Sequence, residues 1–320
     1  MKAIAAILLI VALFACKKDS SVGTGEQQQS TQTSKKLYPV TFKLGQFSTD
    51  VKPFGLKTSD LKDQIKFLHY SSFINYIHGP DDEQLGEKVT TINQVADSTA
   101  NFGTIRDSLP EGDYVIIFAG GNTSPFRGFN FQGPGGYYAA AVDQAFPFGD
   151  SFGNGMRIHV GDSVINKEIV LKRMVSKITI KITDALPANA AKFVLTVGNM
   201  APVVFPINQH PPGEHGYPFD DQFITFPLKT EDAGKKNYTL TTYVYYGNEY
   251  FILTCYNQDG AIIANKTMPV VPDQFIDVNK QYNFSGKLFE NSSSFQISID
   301  DQWGESEDIP FGYHSDKSIK

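Results

Sequence analysis

Residues 168–183 read EIVLKRMVSKITIKIT, and their pattern decides the fold class. From Met174 onward the stretch alternates strictly. Met174, Ser176, Ile178, Ile180 and Ile182 share one face, while Val175, Lys177, Thr179, Lys181 and Thr183 share the other. A period of two marks a half-buried strand. Upstream the phase is reversed, because Ile169 and Leu171 carry apolar side chains on the face that later holds Lys177 and Lys181. A one-residue reversal requires a bulge, or a chain that leaves one core and enters another. We read the stretch as the junction of two β-domains, with Arg173 near the crossing point as a structural residue that satisfies carbonyls or carboxylates at the seam.

C-terminal to this junction, strands are expected at 192–198, 203–207, 222–228, 238–246, 249–256, 261–267, 274–288 and 294–300. Asn257-Gln258-Asp259-Gly260 is the clearest hairpin turn. Short strands at this spacing, with no helical period between them, indicate an antiparallel sandwich. N-terminal to the junction, Tyr38, Val40, Phe42 and Leu44 alternate as a first strand. Residues 67–77 are apolar on both faces, 89–95 form another strand, and Leu109-Pro110-Glu111-Gly112-Asp113-Tyr114 reads as a hairpin turn feeding a strand from Tyr114. The Gly-rich segment 120–155 is the least regular, with a short helix expected over 137–145. Its rings, among them Phe126, Phe129, Phe131, Tyr137, Tyr138 and Phe148, admit two readings: they cap the open end of the first core, or they contact a partner or a glycan.

The chain has 320 residues, 41% of them hydrophobic, which is material for two cores. A net charge of -6 leaves no basic footprint, so nucleic acid is not an expected partner. The N-terminus carries Lys2, an apolar run over 3–14, and Ala15 before Cys16, the architecture of a signal peptide. Leu13-Phe14-Ala15-Cys16 resembles the bacterial lipobox, which implies acylation of Cys16; the alternative is an ordinary signal peptide that happens to contain a cysteine. Residues 20–36 are polar and rich in Gly, Ser, Thr and Gln, and read as a tether. The expected division is 1–15 signal peptide, 16–36 tether, 37–167 first sandwich and 168–320 second sandwich with a polar tail.

Candidate chemistry is sparse. Pro211 and Pro212 exclude the helix that would pair His210 with His215 as zinc ligands, leaving only a loop metal site as an alternative. His69 and His159 lie in strand-like runs and read as satisfied structural residues, and Cys255 as a small buried hydrophobe. Asp81, Asp82 and Glu83 lack the spacing of a calcium loop. No nucleophile elbow is present. The expectation is a non-enzymatic protein without catalytic residues, metal or cofactor.

Taken together, several segments resemble the FimB/Mfa2 family of Bacteroidetes fimbrial anchor lipoproteins, part of the type V pilus system. They are the lipobox ending in Cys16, the strand Val40-Thr41-Phe42-Lys43-Leu44, the segments 61–70 and 102–114, and Leu171-Lys172-Arg173-Met174-Val175-Ser176-Lys177-Ile178. The resemblance implies an all-β chain of two tandem transthyretin-like sandwiches. It also implies outer-membrane anchoring through Cys16 and strand pairing with fimbrillin-like stalk subunits; our own expectation places the donated or paired strand at about residues 295–311. In that system stalk subunits lose an N-terminal strand by cleavage after arginine, and this chain has no arginine before Arg106. A glycan-binding surface lipoprotein, or a tip adhesin using residues 126–152, is the competing expectation. Asp97-Ser98-Thr99, Asp107-Ser108-Leu109 and Asp162-Ser163-Val164 resemble Bacteroidetes O-glycosylation tripeptides.

Overall fold

The computed structural model describes residues 35–45, 61, 65–79, 82–132, 138–145, 147–200, 220–245, 250–268, 276–290 and 295–300. The signal peptide, Cys16 and the tether up to residue 34, Tyr137, the strand expected over 203–207, His210, His215 and the tail from 301 lie outside these residues. The chain divides into Met1–Lys35 and Lys36–Lys320, and every strand belongs to the second unit.

The strands are β1 (Leu37–Leu44), β2 (Phe67–Gly79), β3 (Asp82–Val95), β4 (Thr104–Pro110), β5 (Gly112–Gly121), β6 (Phe126–Gln132), β7 (Tyr138–Gln144), β8 (Ser151–Val160), β9 (Ile165–Ile169), β10 (Lys172–Arg173), β11 (Ser176–Ile182), β12 (Ala190–Met200), β13 (Asp220–Pro227), β14 (Tyr238–Val244), β15 (Tyr250–Asn257), β16 (Ile262–Thr267), β17 (Gln281–Gly286) and β18 (Gln296–Asp300). The architecture is all-β, as the alternation requires.

Two sandwiches result. Around one core, sheet β4-β1-β9 faces sheet β10-β8-β5-β2-β3, and around the other, β14-β11-β17-β18 faces β13-β12-β15-β16. Val40, Phe42, Ile105 and Ile169 meet Leu68, Tyr70, Ile116 and Phe118 in the first. Ile178, Ile180, Leu240 and Phe284 meet Phe193, Leu195, Phe251 and Leu253 in the second. The two halves repeat one topology. Matching β1, β2, β3, β4, β5, β8 and β9 with β11 to β17 in order reproduces every neighbour, including the parallel pairs β1–β9 and β11–β17. The additions are the hairpin β6–β7, the short β10, and the edge strand β18.

Residues 168–183 are not one strand. Ile169 and Leu171 are buried in the first core, whereas Met174, Val175 and the even-numbered isoleucines of β11 belong to the second. The phase reversal therefore marks a chain passing from one core to the next. Arg173 sits at the passage, almost fully buried, with its guanidinium against Asp150 on the N-terminal side and Asn279 on the C-terminal side. Asn279 takes a left-handed backbone, φ 63°, and its N–H donates to the Val175 carbonyl.

Two expectations change. The Leu109–Tyr114 turn is not a hairpin, because β4 pairs with β1 while β5 pairs with β2 and β8 in the opposite sheet. The turn carries the chain across the core, and Tyr114 Oη donates to the Pro110 carbonyl at 2.9 Å to hold it. Residues 138–144 form a strand instead of a helix. The alanines favour helix locally, but pairing with β6 and the inward burial of Ala140 and Val142 override that preference. The segment 120–155 is thus largely ordered into β5, β6, β7 and β8. The Asn257–Gly260 turn is a hairpin as expected, with Gly260 at φ 81° and Asn257 Oδ1 accepting from the Ala261 N–H.

Candidate functional site

Hairpin β6–β7 lies on the outer face of the five-stranded sheet and explains why β5 is buried along nearly its whole length. Tyr114, Ile116 and Phe118 point into the sandwich core, while Val115, Ile117 and Ala119 pack in the cluster that contains Phe126, Ala140 and Val142. On β2 the same alternation sends Leu68 and Tyr70 inward, and His69, Ser71 and Phe73 toward the hairpin.

Beside the hairpin runs a groove of about 440 Å³, lined by His69, Lys88, Thr91, Asn93, Phe126, Arg127, Gly128, Phe129 and Asp143. Its floor is a polar ladder across the β2–β3 pair, in which His69 lies opposite Asn93 and Ser71 opposite Thr91. His69 Nδ1 is 2.7 Å from Asn93 Oδ1, His69 Nε2 is 2.8 Å from Ser71 Oγ, and Ser71 Oγ is 3.1 Å from Thr91 Oγ1. With Asn93 accepting, the imidazole carries its proton on Nδ1 and accepts from Ser71 on Nε2. Burial holds the His69 pKa below its usual 6.5 and Lys88 adds to this, against the opposing influence of Asn93 and Asp143.

Serine, histidine and asparagine in this order have the spacing of a nucleophile, base and orienting group. The third dimension closes that route. Ser71 is fully buried and Gly128 of β6 lies directly over it: a Cβ there would stand 2.6 Å from His69 Nε2 and 2.7 Å from Ser71 Oγ. A substrate carbonyl has no approach to the hydroxyl, so the ladder acts as a strut beneath the groove.

The wall is charged. Arg127 pairs with Asp143, its cross-strand partner, through Nε–Oδ1 at 3.1 Å and Nη2–Oδ2 at 2.5 Å. Lys88 Nζ donates to the Gly128 carbonyl at 3.2 Å, joining the edge strand to the hairpin. At the base of the hairpin, Gln144 donates to Thr123 Oγ1 and the Ser124 carbonyl and accepts from Ser151.

The aromatic residues singled out from sequence have different fates. Phe129 is half-buried and lines the groove. Phe126 also lines it but is 2% exposed, so its ring is committed to packing. Phe148 is buried against Tyr245, ring centroids 4.1 Å apart, at the point where the hairpin layer meets the second core. Phe131 and Tyr138 belong to β6 and β7 by backbone, and their side chains lie outside the described residues, as does Tyr137. His69 is structural as read, while Lys88, Thr91, Asn93, Arg127 and Asp143 carried no signal beyond polar residues on facing strands. His159 pairs with Asp113 at 2.9 Å, and Cys255 is buried, its thiol pushed up to about 11 by desolvation.

Among the described residues no group of three or more His, Cys, Asp or Glu could hold a metal, and no helix is long and apolar enough to cross a membrane. Of the three tripeptides, Ser98 and Ser163 are exposed in connections, whereas Ser108 lies within β4 with Asp107 accepting from Tyr70 Oη at 3.0 Å and Leu109 in the core.

No family model matches the sequence, and no curated protein matches it. Solved structures similar to the chain do exist. The fimbrial anchor protein Mfa2 from Porphyromonas gingivalis aligns over 82% of this chain and 97% of its own, at 11% identity and a TM-score of 0.41. The tip fimbrial protein Mfa3 of the same organism, truncated at its C-terminus, aligns over 82% and 99%, at 12% identity and a TM-score of 0.37. A candidate polysaccharide binding protein from Bacteroides thetaiotaomicron aligns over 84% and 99%, at 10% identity and a TM-score of 0.48.

Proposed function

We propose that the chain is a non-enzymatic surface lipoprotein of the outer membrane, held there through acylated Cys16, that anchors or helps assemble a fimbria by pairing strands with a stalk subunit. The observation that carries this reading is the position of β1. It pairs antiparallel with β4 on one side and parallel with β9 on the other, so both of its edges are engaged. A sandwich that keeps its opening strand between two neighbours has no vacant lane there for a donated strand, and such a subunit ends a polymer.

The opposite requirement, a place to join the fibre, is met at β18. This five-residue strand pairs with β17 and forms the end of its sheet among the described residues. Backbone groups on an open edge bind an extended segment by adding a strand, with alternating side chains setting register. The reading is of the same kind as the anchor and tip proteins named above and does not rest on them. Deleting residues 295–311 is expected to abolish fibre attachment while the lipoprotein stays in the membrane fraction. Unchanged attachment refutes the proposal, and Cys16→Ser separates the tether from the joint by releasing both protein and fibre.

A second reading is favoured by the groove beside β6–β7: a glycan-binding lipoprotein or tip adhesin that uses the hairpin face. Binding of a glycan array by the wild-type chain, lost in Phe129→Ala, tests it.

A further inference from the structure

We infer that the groove between β3 and the β6–β7 hairpin takes a pyranose residue that bears a carboxylate, with Lys88 as the anion contact and Phe129 as the surface for the ring. This inference rests on the glycan-binding reading and specifies its site and ligand class.

Size and shape come first. A groove of about 440 Å³ falls in the range of roughly 300–1,000 Å³ typical of small-molecule sites. Its floor is preformed: the Thr91, Ser71, His69 and Asn93 ladder holds the buried imidazole and leaves the Asn93 amide N–H groups as donors at the surface. On the wall, the Arg127–Asp143 pair sets N–H donors and carboxylate oxygens side by side through two hydrogen bonds. Closely set donors and acceptors beside a half-buried aromatic ring match the mixed character of a pyranose, whose hydroxyls need both kinds of partner and whose ring face is apolar.

Charge selects among sugars. Arg127 is neutralised by Asp143 at hydrogen-bond distance. Lys88 makes no ion pair among the described residues, and only one of its three N–H donors is spent, on the Gly128 carbonyl. The groove therefore has one uncompensated ammonium at its mouth, above a floor whose histidine is kept neutral. A neutral sugar leaves that charge unused, whereas a carboxylate on the ring pairs with it while the hydroxyls reach Asn93, Asp143 and Arg127. The strut fixes the floor in advance, so binding does not have to order it.

The test is titration of the full chain with glucuronate- and galacturonate-terminated oligosaccharides, and with their uncharged glucose and galactose counterparts. Wild type, Lys88→Met and Phe129→Ala are compared by calorimetry and circular dichroism, the latter to establish that each variant is folded. The acidic sugars are expected to bind wild type at least about tenfold more tightly than the neutral ones, the factor corresponding to about 1.4 kcal/mol. Lys88→Met erases that preference, and Phe129→Ala weakens both classes. Equal binding of neutral and acidic sugars, with Lys88→Met unaffected, overturns the inference and leaves the glycan-binding reading standing. Absence of sugar binding overturns both. Competition by acetate or inorganic phosphate as effective as that by the uronate reduces the groove to an anion site and also overturns it.

Discussion

Breaking the clamp at the passage between the two cores is expected to destabilise the body, because its arginine is buried. Arg173 donates to Asp150 through Nε at 2.7 Å and Nη2 at 3.0 Å, and to Asn279 Oδ1 through Nη1 at 3.0 Å. The arginine side chain is 1% exposed and that of Asp150 22%. Asp150→Ala therefore removes the carboxylate from a guanidinium that water cannot reach, while the bond to Asn279 Oδ1 remains. Removing one member of a buried pair costs about 3–5 kcal/mol, and the partial exposure of Asp150 places this case near the lower end, about 3 kcal/mol. Arg173→Met keeps most of the buried volume and leaves a carboxylate that can turn to solvent, so the loss is that of charged hydrogen bonds, about 1.5–2 kcal/mol. Once the arginine is gone, deleting the aspartate adds little. The double variant should thus show a coupling close to the Asp150→Ala cost itself, about 3 kcal/mol in a double-mutant cycle. Urea unfolding followed by circular dichroism, with the midpoint and slope fitted for each variant, measures these values. An Asp150→Ala cost below about 1 kcal/mol, or additivity within about 0.5 kcal/mol, refutes the clamp.

Three further outcomes are expected. Gly128→Ala drives a Cβ into His69 and Ser71 and lifts the hairpin, with a loss of about 1–3 kcal/mol in urea unfolding; a neutral result refutes the close approach. The His69 pKa is lowered in the folded state, so the unfolded chain binds the extra proton: this group's contribution to stability is full above pH 6.5 and is lost as pH falls from there toward the folded value. The stability difference between wild type and His69→Gln should narrow below pH 6.5, and a difference that does not change with pH counts against the neutral imidazole. Cys255, buried and with its thiol held near 11, should react with a thiol reagent at pH 8 only as fast as the chain opens, so that denaturant accelerates labelling.

Much of the fold was legible because alternation is a local property. The even-numbered positions of 174–182 are apolar or small, and any strand with that pattern buries that face, whatever it packs against. The same holds for Val40 and Phe42, and for the Asn257–Gly260 turn, whose side-chain and glycine requirements are met within a few residues. The reversal of phase at Arg173 was likewise visible, since a strand cannot change its buried face without changing its surroundings.

What lies beside each strand was not legible. The sequence at 109–114 specifies a tight turn but not whether the strands it joins share a sheet, and here they belong to opposite sheets. Residues 138–144 carry a helix-favouring run that becomes a strand because β6 supplies hydrogen-bond partners and the sheet beneath supplies burial. The groove depends on His69 meeting Asn93 across 24 positions, and on Lys88 reaching Gly128 across 40. The clamp joins Arg173 to Asn279 across 106. By itself the sequence determined where the strictly alternating strands run and which face each of them hides, because those follow from period and local turn chemistry. Only the tertiary structure decided which edges meet, which aromatic rings are consumed by packing, and which polar residues gather into a site. Those outcomes are set by competition among distant segments for the same buried surface and the same backbone hydrogen bonds.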